Sequence, residues 1–265
     1  MSVLIVIPAR YASIRYPGKP LVELRGAQGE ARSLIHRTWA VAQEVAGVSR
    51  IVVATDDDRI DDHCRGFGAE VIRTSDQCRN GTERCAEALG LIGQDVDMVV
   101  NLQGDAPLTP PWFIEALIEA LGRSDAKMAT PVLRTEGTAL TGFVEDRRAG
   151  RVGGTTAVFG AGGRALYFSK EVIPYTGRSY ADGEQTPVFH HVGVYAYRPK
   201  ALRDYATLPQ GPLERLEGLE QLRFLENNLD VLCVEVDARG RQFWELNNPE
   251  DVPKLEQMMA EMGIA

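Results

Sequence analysis

The spacing of apolar residues changes character repeatedly along the chain, and each change marks an element. "VLIVI" (3–7) is a short continuous apolar run, the pattern of a strand buried on both faces. "SLIHRTWAVAQEV" (33–45) instead sets Leu34, Ile35, Trp39, Val41, Ala42 and Val45 close to helical spacing, with Gly47 just beyond as a stop signal. "RIVVAT" (50–55) returns to the strand pattern, and "DDDRIDDHCRGFG" (56–68) reads as an acid-capped helix ending at glycine. "AEVIRT" (69–74), "GTERCAEALGLI" (81–92) and "DMVVNLQGD" (97–105) continue the series as strand, helix and strand. Alternation of this kind predicts right-handed crossovers and a mostly parallel sheet covered on both faces.

The second half is less regular. "RVGGTTAVFG" (151–160), "ALYFSK" (165–170) and "VFHHVGVYAYR" (188–198) read as strands between turn-rich segments. "LERLEGLEQLRFLENN" (213–228) reads as one helix, "LDVLCVEV" (229–236) as a strand and "NPEDVPKLEQMMAEM" (248–262) as a closing helix. No internal repeat, low-complexity tract or long linker is present, so the pattern predicts a single domain over residues 1–265 carrying an inserted lobe.

Ligands of such sheets bind beyond the carboxyl ends of the strands, which puts loops 8–20, 74–82 and 103–110 on one rim. The first of these, within "VIPARYASIRYPGKPL" (6–21), gathers Arg10, Arg15 and Lys19 among Pro8, Pro17, Gly18 and Pro20, where neither helix nor strand can continue. The whole chain carries a net charge of -8, which argues against broad nucleic-acid binding. A local basic loop still sets the field of its own cleft and leaves room for a small anion. GxGxxG is absent, and Gly18-Lys19 is followed by Pro20, so neither a dinucleotide fingerprint nor a Walker A loop is present. A constrained loop with two guanidiniums and an ammonium suits a triphosphate; a solvated charged turn is the competing reading.

No apolar run approaches the roughly 20 residues that span a bilayer. "MSVLIVIPAR" has neither a basic n-region nor a cleavage site, so no membrane association and a cytoplasmic location are expected. Cys64, Cys78, Cys85 and Cys233 form no CxxC pair, and His36, His63, His190 and His191 form no HExxH, which argues against a zinc site or a disulfide framework.

"IPARYASIRYPGKPL" (7–21), "NGTER" (80–84), "VVNLQGDAPL" (99–108), "ALYFSKEVIPY" (165–175), "HVGVYAYR" (191–198) and "LEQLRFL" (219–225) occur in order over nearly the whole chain. Jointly they resemble the 3-deoxy-manno-octulosonate cytidylyltransferase (CMP-Kdo synthetase) family. The resemblance implies an α/β, Rossmann-like nucleotidyltransferase with a mostly parallel central sheet and an inserted substrate-binding and dimerisation lobe. Residues 1–130 would mainly bind CTP, 131–230 would mainly bind the sugar acid and a second copy of the chain, and 231–265 would form a closing strand and helix. The implied reaction transfers CMP from CTP to the anomeric hydroxyl of Kdo, a 3-deoxy ulosonic acid, with Mg²⁺, and the implied assembly is a homodimer. In-line attack on the α-phosphorus requires that two anions be held together and their charge neutralised.

By the same resemblance Arg10, Lys19 and Asp105 are the expected catalytic residues. Ala9, Ser13, Gly81, Thr82, Glu83, Arg84 and Gln103 would join Arg10 and Lys19 around the nucleotide, with Arg15 as a helper. Read alone, Thr82-Glu83 is a helix cap and Asp105 an Asp in a Gly-Asp turn. The family pattern makes Asp105 a Mg²⁺ ligand. His191 and Tyr195, four apart on the expected strand and so on one side of it, would meet the sugar hydroxyls together with Glu220 and Gln221 on the expected helix. Lys170 would take the sugar carboxylate.

Two positions depart from the family pattern: Ala106 stands in "GDAP" where an acid is usual, and Asn247 in "LNNPED" where a second metal-binding Asp is expected. An amide keeps an oxygen donor but loses the charge, and Glu245, Glu250 or Asp251 could compensate. The segment 151–160 is also unlike the usual sequence, which bears on the sugar. Three readings follow: transfer to Kdo; the same chemistry on an amino-Kdo or sialic-type acid; and a nucleotide-binding protein without turnover.

Overall fold

The apolar run that opens the chain becomes strand β1 (Val3–Ala9), buried on both faces from Val3 to Ile7. The computed structural model describes residues 1–13, 16–152, 154–241 and 244–264. After β1 come the short strands β2 (Glu23–Arg25) and β3 (Ala31–Ser33), then α1 (Leu34–Glu44), β4 (Arg50–Thr55), α2 (Asp58–Gly66), β5 (Glu70–Arg73), α3 (Gly81–Ile92) and β6 (Met98–Leu102). The chain continues through α4 (Pro111–Gly122), β7 (Met128–Glu136), α5 (Gly137–Arg148), β8 (Thr156–Phe159), β9 (Ala165–Ser169), β10 (Gln185–His191) and β11 (Val194–Tyr197). It ends with α6 (Pro199–Tyr205), α7 (Pro212–Glu217), α8 (Leu222–Glu226), β12 (Val231–Glu235) and α9 (Asp251–Glu261). Among the described residues no helix is long and apolar enough to cross a membrane.

Two compact units form. The first comprises Met1–Glu115, Arg198–Ala206 and Ala238–Ala265, the second Ala116–Tyr197 and Thr207–Asp237. In the first unit the strands lie in the order β5-β4-β1-β6 and every pair is parallel. The chain leaves β1 for β4 on one side, while β6 lies on the other. The carboxyl ends of β1 and β6 therefore border the point where strand order reverses, the place where such sheets open a crevice. Three of the helices start at polar caps. Ser33 caps α1 by accepting from His36 N, Asp57 caps α2 from Arg59 N, and Asn80 caps α3 from Glu83 N.

The carboxyl-terminal residues also belong to this first unit. Leu246, Leu255, Met258 and Met259 pack in one buried cluster with Leu24, Leu34 and Leu108. Arg25 N donates to Glu256 Oε1 at 2.8 Å and Ala27 N to the Ile264 carbonyl at 2.7 Å, which ties α9 to the β2–β3 pair.

The second unit is built around β7, antiparallel to β10 and β11 and parallel to β12; β8 and β9 continue antiparallel from β10. Two expectations are corrected here. The run 188–198 is not one strand. His191 stands opposite Val132 and Ala196 opposite Ala129, so five steps along this segment cover three along β7 and the strand bulges. The helix expected over 213–228 is also two, because Gly218 adopts φ 64° and ends α7 with its N–H on the Glu214 carbonyl at 2.8 Å. Left-handed backbone is the habitual terminator of a helix, and the apolar spacing on either side carries no sign of it.

Candidate functional site

In the first unit the three expected rim loops do meet. Ala9 is the last residue of β1, and the exposed Arg10 follows it. The loop then folds on itself, with Gly18 N and Ser13 N both donating to the Tyr11 carbonyl at 2.9 Å and Tyr16 N donating to Ser13 Oγ at 3.3 Å. The Arg59 guanidinium lies 3.3 Å from the centre of the Tyr11 ring and covers the loop from α2. Lys19, at the loop's end, sends Nζ to Asp105 Oδ2 at 2.7 Å, with the two side chains 16% and 27% exposed. Arg15 lies outside the described residues.

The amino end of α3 closes on the same loops. A Cβ on Gly81 would stand 3.0 Å from Gln103 Nε2 and 3.3 Å from Pro8 Cγ, so glycine lets this helix start close to the ends of β1 and β6 without displacing either side chain. Thr82, Glu83 and Arg84 are all buried here. Glu83 accepts from Arg79 N at 2.9 Å and pairs with the Arg79 guanidinium at 2.6 Å. The capping role read for Thr82-Glu83 is therefore carried by Asn80, with Glu83 reaching back beyond it. Arg84 donates to Thr74 Oγ1 at 2.6 Å and pairs with Asp56 at 3.1 Å, fastening α3 to the ends of β4 and β5.

Asp105 connects to the far end of the chain through its backbone, since Leu246 N donates to the Asp105 carbonyl at 3.0 Å. Asn247 follows directly. Asp251 holds this segment: Oδ2 accepts from Asn247 N at 2.9 Å and Asn248 N at 2.7 Å, and Oδ1 accepts from Trp244 Nε1 at 3.0 Å. With three donors on its carboxylate, Asp251 braces Asn247. Glu250 is exposed, and Glu245 is half-buried two residues before Asn247. Ala106 is 1% exposed, so an acid there would be buried. Among the described residues no three His, Cys, Asp or Glu side chains cluster as a cage for a metal. Asp105, Asn247 and Glu245 each carry a hard oxygen donor of the type Mg²⁺ takes, and the Leu246–Asp105 hydrogen bond joins the backbones of their two segments.

In the second unit the other expected residues form a drier group. His191 ends β10 at 5% exposure and places Nε2 2.9 Å from Thr130 Oγ1 on β7. Burial, with a smaller contribution from neighbouring His190, pulls its imidazole down to about 3. The Tyr195 ring lies 5.6 Å from that of His191, and the Tyr195 hydroxyl donates to Gln221 Oε1 at 3.3 Å. The two rings meet across the bulge and not through same-strand alternation. Gln221 directly precedes α8, with Glu220 alongside, so this pair sits in a turn and not within a helix. Gln221 is 1% exposed, and its Nε2 has no hydrogen-bond partner among the described residues. Lys170 follows β9, where its backbone N–H donates to Glu217 Oε2 at 2.9 Å. A Cβ on Gly218 would lie 3.1 Å from Lys170 Nζ, so the left-handed turn also gives the ammonium room.

Sequence reasoning missed Thr130 and Glu217, and named Asp251 only as an alternative oxygen donor, whereas its carboxylate is taken by the N–H groups of Trp244, Asn247 and Asn248. Glu217 accepts from Ser169 Oγ at 2.7 Å, Tyr167 Oη at 3.3 Å and Lys170 N, and so joins α7 to β9. Nothing local marks Thr130 or Glu217, because each acts on a residue brought near by the fold.

A cytidylyltransferase family model matches residues 4–231. Among curated relatives, the 3-deoxy-manno-octulosonate cytidylyltransferase of Maricaulis maris is 43% identical, covering 99% of this chain and 99% of that protein. The 8-amino-3,8-dideoxy-manno-octulosonate cytidylyltransferase of a Shewanella species is 39% identical over 98% of this chain and 99% of its own. Among solved structures, that of CMP:2-keto-3-deoxy-manno-octonic acid synthetase complexed with CTP superposes with a TM-score of 0.82 at 31% identity, covering 99% of this chain and 100% of the other. The strand order of the first unit, the loops gathered at its carboxyl edge and this full-length likeness give one conclusion: the chain belongs to the 3-deoxy-manno-octulosonate cytidylyltransferase family.

Proposed function

We propose that the chain transfers the cytidylyl group of CTP to the anomeric hydroxyl of Kdo, releasing pyrophosphate, and that it requires Mg²⁺. The observation that carries this reading is the Lys19–Asp105 pair at the carboxyl ends of β1 and β6. The anomeric oxygen bonds to the α-phosphorus, the bond from that phosphorus to the bridging oxygen of the β-phosphate breaks so that pyrophosphate leaves, and the hydroxyl proton passes to water. Lys19 would exchange Asp105 for the phosphates, and Arg10 would join it. Ala9, Ser13, Gly81 and Gln103 would line the nucleotide; Thr82, Glu83 and Arg84 would shape that wall from within α3. Asp105 and Asn247, with Glu245 as a further oxygen donor, would hold Mg²⁺. When bound, the ion neutralises charge on the phosphates.

In the second unit the neutral His191, Tyr195, Glu220 and Gln221 would bind the hydroxyls, and Lys170 the carboxylate. A second acceptor, 8-amino-3,8-dideoxy-Kdo, is supported by the name of the Shewanella relative. We infer a homodimer formed through the second unit, where Leu166, Tyr175 and Leu216 are 67%, 94% and 82% exposed; sedimentation at the mass of one chain would refute it. Work in the cytoplasm is consistent with four free cysteines.

The deciding measurement is pyrophosphate release from CTP with Kdo, 8-amino-3,8-dideoxy-Kdo and a sialic acid, each across a Mg²⁺ titration. Turnover with Kdo is expected. Turnover with another acid alone moves the substrate, and CTP binding without product from any acid overturns the enzyme reading.

A further inference from the structure

We infer that Thr130 fixes His191 in the Nε2–H tautomer and thereby makes His191 Nδ1 an acceptor for a donor on the sugar acid. The inference rests on the proposed function for the ligand and on the hydrogen-bond geometry for the tautomer. Thr130 Oγ1 has three neighbours: the Val194 carbonyl at 2.9 Å, the Val192 carbonyl at 3.2 Å and His191 Nε2 at 2.9 Å. A hydroxyl has one hydrogen to give and two lone pairs. Both carbonyls can only accept, and the Val192 oxygen already takes the Val194 N–H at 2.8 Å. If the hydrogen pointed at His191, the Val194 oxygen would face a Thr130 lone pair at hydrogen-bond distance, with repulsion in place of a bond. Donation to Val194 removes that conflict and leaves Oγ1 to accept. The proton must then sit on His191 Nε2.

The consequence concerns specificity. Burial keeps the ring neutral, so the imidazole has one lone pair, on Nδ1, and cannot donate from that atom. Such an atom takes a hydroxyl or amine hydrogen and repels a carboxylate. The sugar carboxylate must therefore be bound elsewhere, as by Lys170, and His191 reads a hydroxyl-type group. Thr130 touches no substrate in this account; it is a positioning residue.

The test is nitrogen-15 and proton NMR of the full chain carrying labelled histidine, without substrates. The His191 signals are identified by their loss in His191→Gln. The expected spectrum has a protonated Nε2 and a bare Nδ1. Thr130→Val, close in volume but without the hydroxyl, should lose that fixed pattern, and its KM for the sugar acid should rise about tenfold, the usual weight of one hydrogen bond, with the KM for CTP unchanged. Thr130→Ser should restore both. A His191 protonated on Nδ1, or an unchanged tautomer and KM in a folded Thr130→Val, overturns the inference. Because the tautomer is read without substrates, failure of cytidylyl transfer would be seen separately from failure of this assignment.

Discussion

The two groups of functional residues solve different physical problems. In the first unit Lys19 and Asp105 are charged and partly open to water, and Arg10 is exposed. In the second unit His191, Tyr195 and Gln221 are neutral and at most 5% exposed. Charge acts over several ångströms and tolerates imprecise placement, so a loop is an adequate carrier for charged groups. A buried hydrogen bond depends on direction and costs stability when unmade, so the polar residues of the second unit are set by strands, a bulge and a turn.

The strongest way to break this contrast is to remove charge from the first group. Lys19→Met should lower kcat by about 10²–10³, the usual loss when one donor to a developing oxyanion is removed. Pyrophosphate-release kinetics would measure it, and a change confined to the KM for the sugar acid would show that Lys19 belongs with the other group.

A pH experiment probes the dryness of the second group. His191 is held near 3 when folded against an ordinary value of 6.5, so the unfolded chain binds a proton that the folded chain refuses. Stability from this residue is therefore constant above about pH 7 and falls as pH drops through 6.5 toward 3. By pH 5 the loss is about 2 kcal/mol. Denaturant midpoints at pH 7.5 and 5 should differ less in His191→Gln by that amount; an equal difference would mean the ring is not kept neutral.

Gln221→Leu should raise the KM for the sugar acid about tenfold while sparing that for CTP, because it removes a buried donor that has no partner among the described residues. Equal effects on both substrates would dissolve the division between the groups. The smallest change expected is from Asn247→Asp, which should lower the Mg²⁺ concentration for half-maximal rate several-fold by adding a carboxylate one residue from the Leu246–Asp105 hydrogen bond. An unchanged requirement would assign the second oxygen donor to Glu245.

The charged loop was legible in the sequence because prolines and glycine break regular structure locally, and because arginine and lysine advertise their chemistry without a partner. The parallel sheet was legible too, since continuous apolar runs alternating with helical spacing leave few other folds. The break at Gly218 and the bulge after His191 were not, because both sit inside apolar patterns that also fit an unbroken helix or strand. The sequence alone thus determined the elements of the first unit and the charges at its rim. Only the tertiary structure decided that Asn247 lies one residue from a hydrogen bond to Asp105, that Glu217 receives Ser169 and Lys170, and that Thr130 meets His191. Each of these joins residues more than 40 positions apart, and such distances along a chain are closed by burial of the cores between them, which no local spacing encodes.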